Sequence, residues 1–153
     1  MPESTERPDS EKSDAAPEVV SRAVLVEKAS KLRETQNPAV AILLSGDRIS
    51  CCDEGVIMEK AGNLIGMATI APEGEEGSGQ PTIVALYIEP KYRSQGNGAQ
   101  ILRKAVERCV ERGFDKIRMD VMSANAMKII EKLPAEMQKK IDVYDLGNIM
   151  DNF

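Results

Sequence analysis

At 153 residues, 42% apolar and 29% charged, the chain has the size and composition of one globular domain with an ordinary core. A net charge of −5, only five aromatics and no Trp argue against a nucleic-acid partner; the absence of any run near 18 apolar residues excludes a helical membrane span, and a polar N-terminus without an apolar signal region points to the cytoplasm. There is no His and there are only three Cys, so the commonest general base and transition-metal ligand are missing and no disulfide framework is indicated.

Residues 1–16 are rich in Ser, Glu, Asp and Pro and nearly free of large apolar side chains, the pattern of a disordered acidic tail. Pro17 suits a first helical position, and Val20, Ala23, Val24 and Leu32 mark the apolar face of a helix running to about Glu34. Asn37-Pro38 resembles a cap and first-turn proline, so Ala39 to Leu44 reads as a short helix or, equally on periodicity, a buried strand. The adjacent Cys51-Cys52 do not suit paired metal ligands.

Val56 to Lys60, Ala61-Gly62-Asn63 and Leu64 to Ile70 predict a β-hairpin. Residues 71–81 read as a loop whose Glu73, Glu75 and Glu76 either draw in a cation or simply face water. Thr82 to Ile88 is β-branched and apolar throughout, as in a central strand covered on both faces, and Glu89-Pro90 ends it. Arg93-Ser94-Gln95-Gly96-Asn97-Gly98 follows. Ala99 to Arg112 then has helical spacing, with Leu102, Ala105, Val106, Cys109 and Val110 on one side and Gly113 as a stop. Lys116 to Met122 predicts a strand parallel to 82–88, because a helix separates the two. Ala124 to Leu133 reads as a helix stopped by Pro134, and Ile141 to Leu146 alternates as a strand.

Charge is uneven. Residues 91–118 hold eight bases (Lys91, Arg93, Arg103, Lys104, Arg108, Arg112, Lys116, Arg118) against Glu107, Glu111 and Asp115. This basic segment begins at the glycine turn, where exposed N–H groups and a helix N-terminus suit a phosphate or pyrophosphate. A solvated helix face accounts for most of these bases. A P-loop is excluded by the missing Gly-Lys-Ser/Thr, and a dinucleotide fingerprint by the missing third glycine.

The block Leu86-Tyr87-Ile88-Glu89-Pro90-Lys91-Tyr92-Arg93-Ser94-Gln95-Gly96-Asn97-Gly98, with the preceding hairpin and following helix and strand, resembles the GNAT superfamily of acyl-CoA-dependent N-acyltransferases. The resemblance spans roughly residues 18–146. It implies an α/β domain over 17–153 with a GNAT-like mixed central sheet and flanking helices. It also implies acetyl-CoA as acyl donor, an amine acceptor that is a small molecule or a protein, and a monomer or homodimer. By resemblance, backbone N–H groups of Ser94, Gln95, Gly96, Asn97, Gly98 and Ala99 cradle the pyrophosphate. Arg93 serves the phosphates or the packing of the turn. The backbone of Leu86, Tyr87 and Ile88 pairs with the pantetheine arm.

The proton-transfer residues of the family are not matched. Thr82 stands where many members carry a Glu base. With Ala126 aligned, Ile130 stands where many carry a Tyr acid, and Leu133-Pro134 replaces a Gly-Phe pair. The replacements that the sequence offers are Tyr144 and Asp120, with ordered water as a further carrier. No Cys lies near the motif to form an acyl-enzyme, which favours direct transfer. Loss of both customary groups also admits a non-catalytic acyl-CoA-binding module.

Overall fold

The computed structural model describes residues 16–31, 53–71, 80–121 and 124–145. Among these, six strands form one sheet in chain order: β1 (Glu18–Ser21), β2 (Glu54–Lys60), β3 (Asn63–Ala71), β4 (Thr82–Ile88), β5 (Ile117–Val121) and β6 (Ile141–Asp145). Pairing is antiparallel from β1 to β4 and parallel from β4 to β6. The helices are α1 (Arg22–Ala29), α2 (Asn97–Glu111), α3 (Ala124–Glu131) and α4 (Ala135–Gln138). The chain thus forms the expected mixed sheet with flanking helices. The acidic tail up to residue 15, the 39–44 element, Cys51-Cys52, the three loop glutamates and the residues after 145 lie outside the described residues.

One expectation is corrected at the start. The helix begins at Arg22, not Pro17, because Glu18–Ser21 is extended. Val19 and Val20 are β-branched and sit opposite Val56 and Gly55 on β2. Gaining a ladder partner outweighs the helix-start preference of a proline, whose fixed φ also suits extended backbone. Ser21 then caps α1, its Oγ accepting the Val24 N–H at 3.4 Å.

The hairpin follows its turn chemistry. Ala61 and Gly62 have φ of 53° and 80°, both positive as a two-residue primed turn requires. The sheet buries both faces. Val56, Met58, Ile83, Met119 and the α2 side chains Ile101, Leu102, Ala105, Val106 and Cys109 form one layer. Ile57, Met67 and Tyr87 pack with Leu25 and Ala29 of α1 on the other. A fully buried Leu or Ile contributes about 1.5–3 kcal/mol relative to exposure. Val110 is corrected: it is 40% exposed, because the stripe 98–101–102–105–106–109 turns away from it, and Ile101 takes the buried place.

The C-terminal turn of α2 is tied to the start of β2. Glu54 Oε2 accepts from Arg108 Nε at 2.8 Å and from Arg112 Nη1 at 2.7 Å, and Arg112 Nη2 lies 3.1 Å from Asp53 Oδ2. So two bases of the 91–118 run are structural partners, not a solvated face. Burial pushes the Glu54 carboxyl up, but the hydrogen bonds and charges of Arg108 and Arg112 outweigh it, leaving its pKa below the ordinary carboxylate value. A lowered folded pKa gives stability that is fully present above the unfolded value and is lost as pH falls through the folded one. We therefore expect Glu54→Gln to lose about 1–3 kcal/mol at pH 7. The gap to wild type should close as pH drops below about 4. Urea unfolding of both proteins at pH 7 and pH 3 measures this; a gap that is constant with pH would show that the ion pairs do not act.

Candidate functional site

The site is built where β4 stops matching its neighbours. Between Ala68↔Leu86 and Ile70↔Ile83 the register slips, so β4 carries one more residue than β3. Such a bulge bends and twists its strand. On the other side β4 pairs with β5 only at Thr82↔Arg118 and Ile83↔Met119, whereas β5 pairs with β6 along its whole length. Past the bulge, therefore, β4 and β5 part.

A cavity of about 380 Å³ lies along this part of β4. One wall is Leu86, Tyr87, Ile88 and the turn residues Tyr92, Arg93, Ser94, Gly96, Gly98 and Ala99. The other wall is α3, through Ala126, Lys128, Ile129 and the nearby Lys132. A second cavity of about 460 Å³, between the end of α1 and the β2–β3 turn, lies off the β4–β5 gap, and there Lys28 is paired with Glu59 at 2.7 Å.

The turn has an unusual backbone. After the single 3-10 turn Pro90–Tyr92, Ser94 has φ of 64° and Gly96 of 84°, two left-handed residues with one between them. Such alternation gathers successive N–H groups into a concavity. Among the described residues no acceptor takes the backbone N–H of Ser94, Gln95 or Gly96. The first-turn N–H groups of α2 also lack intrahelical partners. A side chain started at Gly96 would meet nothing within 4 Å, so this glycine is required by conformation rather than by space.

Side chains lash the turn to the strand end. Arg93 Nε donates to the Ile88 carbonyl at 2.7 Å, and its guanidinium lies 5.5 Å from the centre of the Tyr87 ring. These contacts pack Arg93 against the strand end, and Arg93 also lines the cavity. Asn97 Nδ2 donates to the Tyr92 carbonyl at 2.9 Å and Gln95 Nε2 to the Lys91 carbonyl at 3.1 Å. Gln95 and Asn97 do not line the cavity. Tyr87 is buried, and its hydroxyl donates to Glu89 Oε2 at 2.5 Å.

Gly98 has a role that spacing did not reveal. A Cβ there would lie 2.8 Å from Ile129 Cδ1, so this glycine lets α2 approach α3 and close the second wall. Sequence reasoning also missed Lys128 and Lys132. Their signal is one-turn spacing on a helix that faces the glycine turn.

The proton-transfer positions look different. Thr82 is 1% exposed, and its Oγ1 has no hydrogen-bond partner among the described residues. Ile130 is buried in the core beneath α3. Neither can exchange a proton at neutral pH. Asp120 and Tyr144 face each other in the β5–β6 register, on the side of the sheet away from β3; their side chains lie outside what is described. Cys109 is 1% exposed, and burial pushes its thiol up to about 11, so it is a packing residue and no nucleophile.

Comparison with known proteins adds the following. The model of the Acetyltransferase (GNAT) family matches residues 27–132. Thialysine N-epsilon-acetyltransferase of Bos taurus is 34% identical over 53 residues, which cover 33% of this chain and 31% of the bovine protein. The chain therefore matches about a third of that relative's length. A GNAT family acetyltransferase from Brucella melitensis in complex with acetyl-CoA superposes with a TM-score of 0.47 at 12% identity, covering 67% of this chain and 74% of that one. A GCN5-related N-acetyltransferase from Ralstonia eutropha JMP134 gives 0.46 at 20% identity, covering 73% and 84%.

The two glycines of the turn should respond differently to substitution. Gly98→Val should destabilise by about 1–3 kcal/mol through overpacking against Ile129, and Ile129→Ala in the same chain should recover part of the loss. Gly96→Ala should cost about 1–2 kcal/mol through its left-handed backbone, with no recovery from Ile129→Ala. Urea unfolding of these variants measures the coupling; equal rescue of both would refute the separation of roles.

Proposed function

The chain belongs to the Acetyltransferase (GNAT) family, and from that premise we propose that it is an acetyl-CoA-dependent N-acetyltransferase that moves an acetyl group directly to an amine. The observation that carries this reading is the parting of β4 from β5 beside the left-handed turn. A strand whose partner leaves it offers its backbone to an extended ligand, and a concavity of N–H groups at the end of that groove suits a pyrophosphate. The residues fit the group. Gly96 leaves its side of the cradle open, Ala126 and Ile129 give the groove an apolar wall, and among the described residues no carboxylate lines the cavity. In this reading the Ser94 to Ala99 backbone holds the phosphates, and Leu86, Tyr87 and Ile88 hold the arm. Arg93 keeps the turn in register with the strand.

When bound, acetyl-CoA supplies an activated thioester. The chain's own share is to orient it, exclude water along the apolar wall, and provide donors and proton carriers. Direct transfer is favoured because Cys109, the described thiol, is buried and held protonated. For the proton leaving the amine and the proton required by the thiolate, Tyr144 and Asp120 are the side chains we assign, with ordered water as intermediary. A second reading has a specific observation behind it. Thr82 and Ile130 are both buried and non-titratable where family members often carry a base and an acid. A module that binds acyl-CoA without turning it over would look the same.

Titration of acetyl-CoA by calorimetry should show binding. Gly96→Asn and Gly96→Asp isolate the charge, since both side chains tolerate left-handed backbone. The Asn variant should keep binding and the Asp variant lose it by repulsion of the phosphates. Binding by Gly96→Asp at wild-type strength would move the site away from the turn. Thiol release across a panel of amines then separates the two readings: turnover above the buffer rate supports the enzyme, and binding without turnover supports the module.

A further inference from the structure

The cavity has a second cationic wall that the turn does not account for. Lys128 lies in the last turn of α3 and Lys132 just beyond it, four residues on, and both line the cavity opposite Ser94, Gly96 and Ala99. Both are exposed, and among the described residues neither ammonium has a carboxylate partner. Their neighbours on this wall, Ala126 and Ile129, are apolar, so the wall is dry at one part and doubly charged at another. Lysines at a helix C-terminus favour the dipole whatever they face. These two, however, also line the cavity.

The charges of the two walls divide the ligand. Resting on the acetyl-CoA reading above, the turn offers N–H groups and a helix N-terminus, enough for a pyrophosphate. Arg93, the cation on that wall, already donates to the Ile88 carbonyl and lies against Tyr87. The 3′-phosphate of CoA is a compact group of about two negative charges at pH 7 and needs ammonium or guanidinium partners of its own. Side chains one helical turn apart stand about 5–6 Å apart at Cβ, and two flexible lysines at that spacing can close on one phosphate. We propose that Lys128 and Lys132 together bind the 3′-phosphate and so make this site select CoA over its dephospho form. The selection is electrostatic. It should weaken with salt, because both lysines are exposed.

The test is calorimetric titration of CoA and of dephospho-CoA, which lacks only the 3′-phosphate, into wild type and Lys128→Gln/Lys132→Gln. Wild type should prefer CoA by about tenfold or more, the range of one or two charged hydrogen bonds. The double variant should lose that preference, its CoA affinity falling to the dephospho-CoA level while dephospho-CoA affinity stays put. Lys128→Arg/Lys132→Arg should retain the preference, and Lys60→Gln, an exposed charge at the β2–β3 hairpin, should leave both affinities unchanged. Equal loss for both ligands in the Gln variant would place the lysines on the pyrophosphate and overturn the assignment. So would a wild type that binds both ligands equally. Binding of neither ligand by wild type would remove the acetyl-CoA reading itself, which no result confined to the lysine variants can do.

Discussion

A strand in the interior must find a partner for every amide and carbonyl, and β4 has a full partner on one side only. Its first two residues hold β5; from the bulge onward, that support is gone. The remaining strand sits in the middle of the sheet yet behaves as an edge. Sheet edges are normally covered, charged or kept short, because they recruit other strands. Here the edge is sheltered by two helices that meet over it, with Gly98 of α2 against Ile129 of α3. The shelter leaves room beneath, which is the cavity. Sheet topology, helix contact and site are thus consequences of one interrupted ladder.

Holding the turn at the end of that groove takes anchors at both ends of α2. At the C-terminal end, the Glu54 carboxylate is shared by Arg108 and Arg112, which fixes the helix to β2. At the N-terminal end, Arg93 and Asn97 bond carbonyls of Ile88 and Tyr92, fixing the turn to the strand and to the 3-10 turn. Two left-handed residues, one of them a serine, persist because these bonds determine the backbone from both sides. A loop held in this way has its N–H groups oriented before any ligand arrives, so little ordering free energy is lost on binding.

Much of this was readable from the sequence, for definable reasons. The hairpin, β4, the glycine turn and α2 each carry strong local signals: Ala61-Gly62-Asn63 between two apolar runs, a β-branched run, two glycines before a helical period. The parallel β4–β5 pairing followed from the intervening helix. What failed was decided by distant partners. Glu18–Ser21 is a strand because β2 offers an edge, which a proline signal at 17 cannot report. Val110 is exposed because α2 is rotated by its contacts with β2 and α3. The small size of Gly98 also serves Ile129 of α3, thirty-one residues on, a contact that no local spacing reports. Lys128 and Lys132 gain meaning only once the fold sets α3 across from the turn.

The charges on the cavity also bear on where the second substrate of an acetyltransferase would sit. Arg93, Lys128 and Lys132 line it, and among the described residues no Asp or Glu does; the nearby Glu89 is occupied by the Tyr87 hydroxyl. A field that favours an anion there disfavours a protonated amine by the same interaction. If the cavity takes the acyl donor, an amine must approach β4 from the other end of the β4–β5 gap. That end starts at Thr82 and Arg118, where the two strands are still paired, and Asp120 and Tyr144 stand next along β5 and β6. The cations on the cavity wall and the acidic Asp120 on β5 are then two sides of one separation, with positive charge gathered along the part of β4 past the bulge and the carboxylate set beside the paired end of the strands.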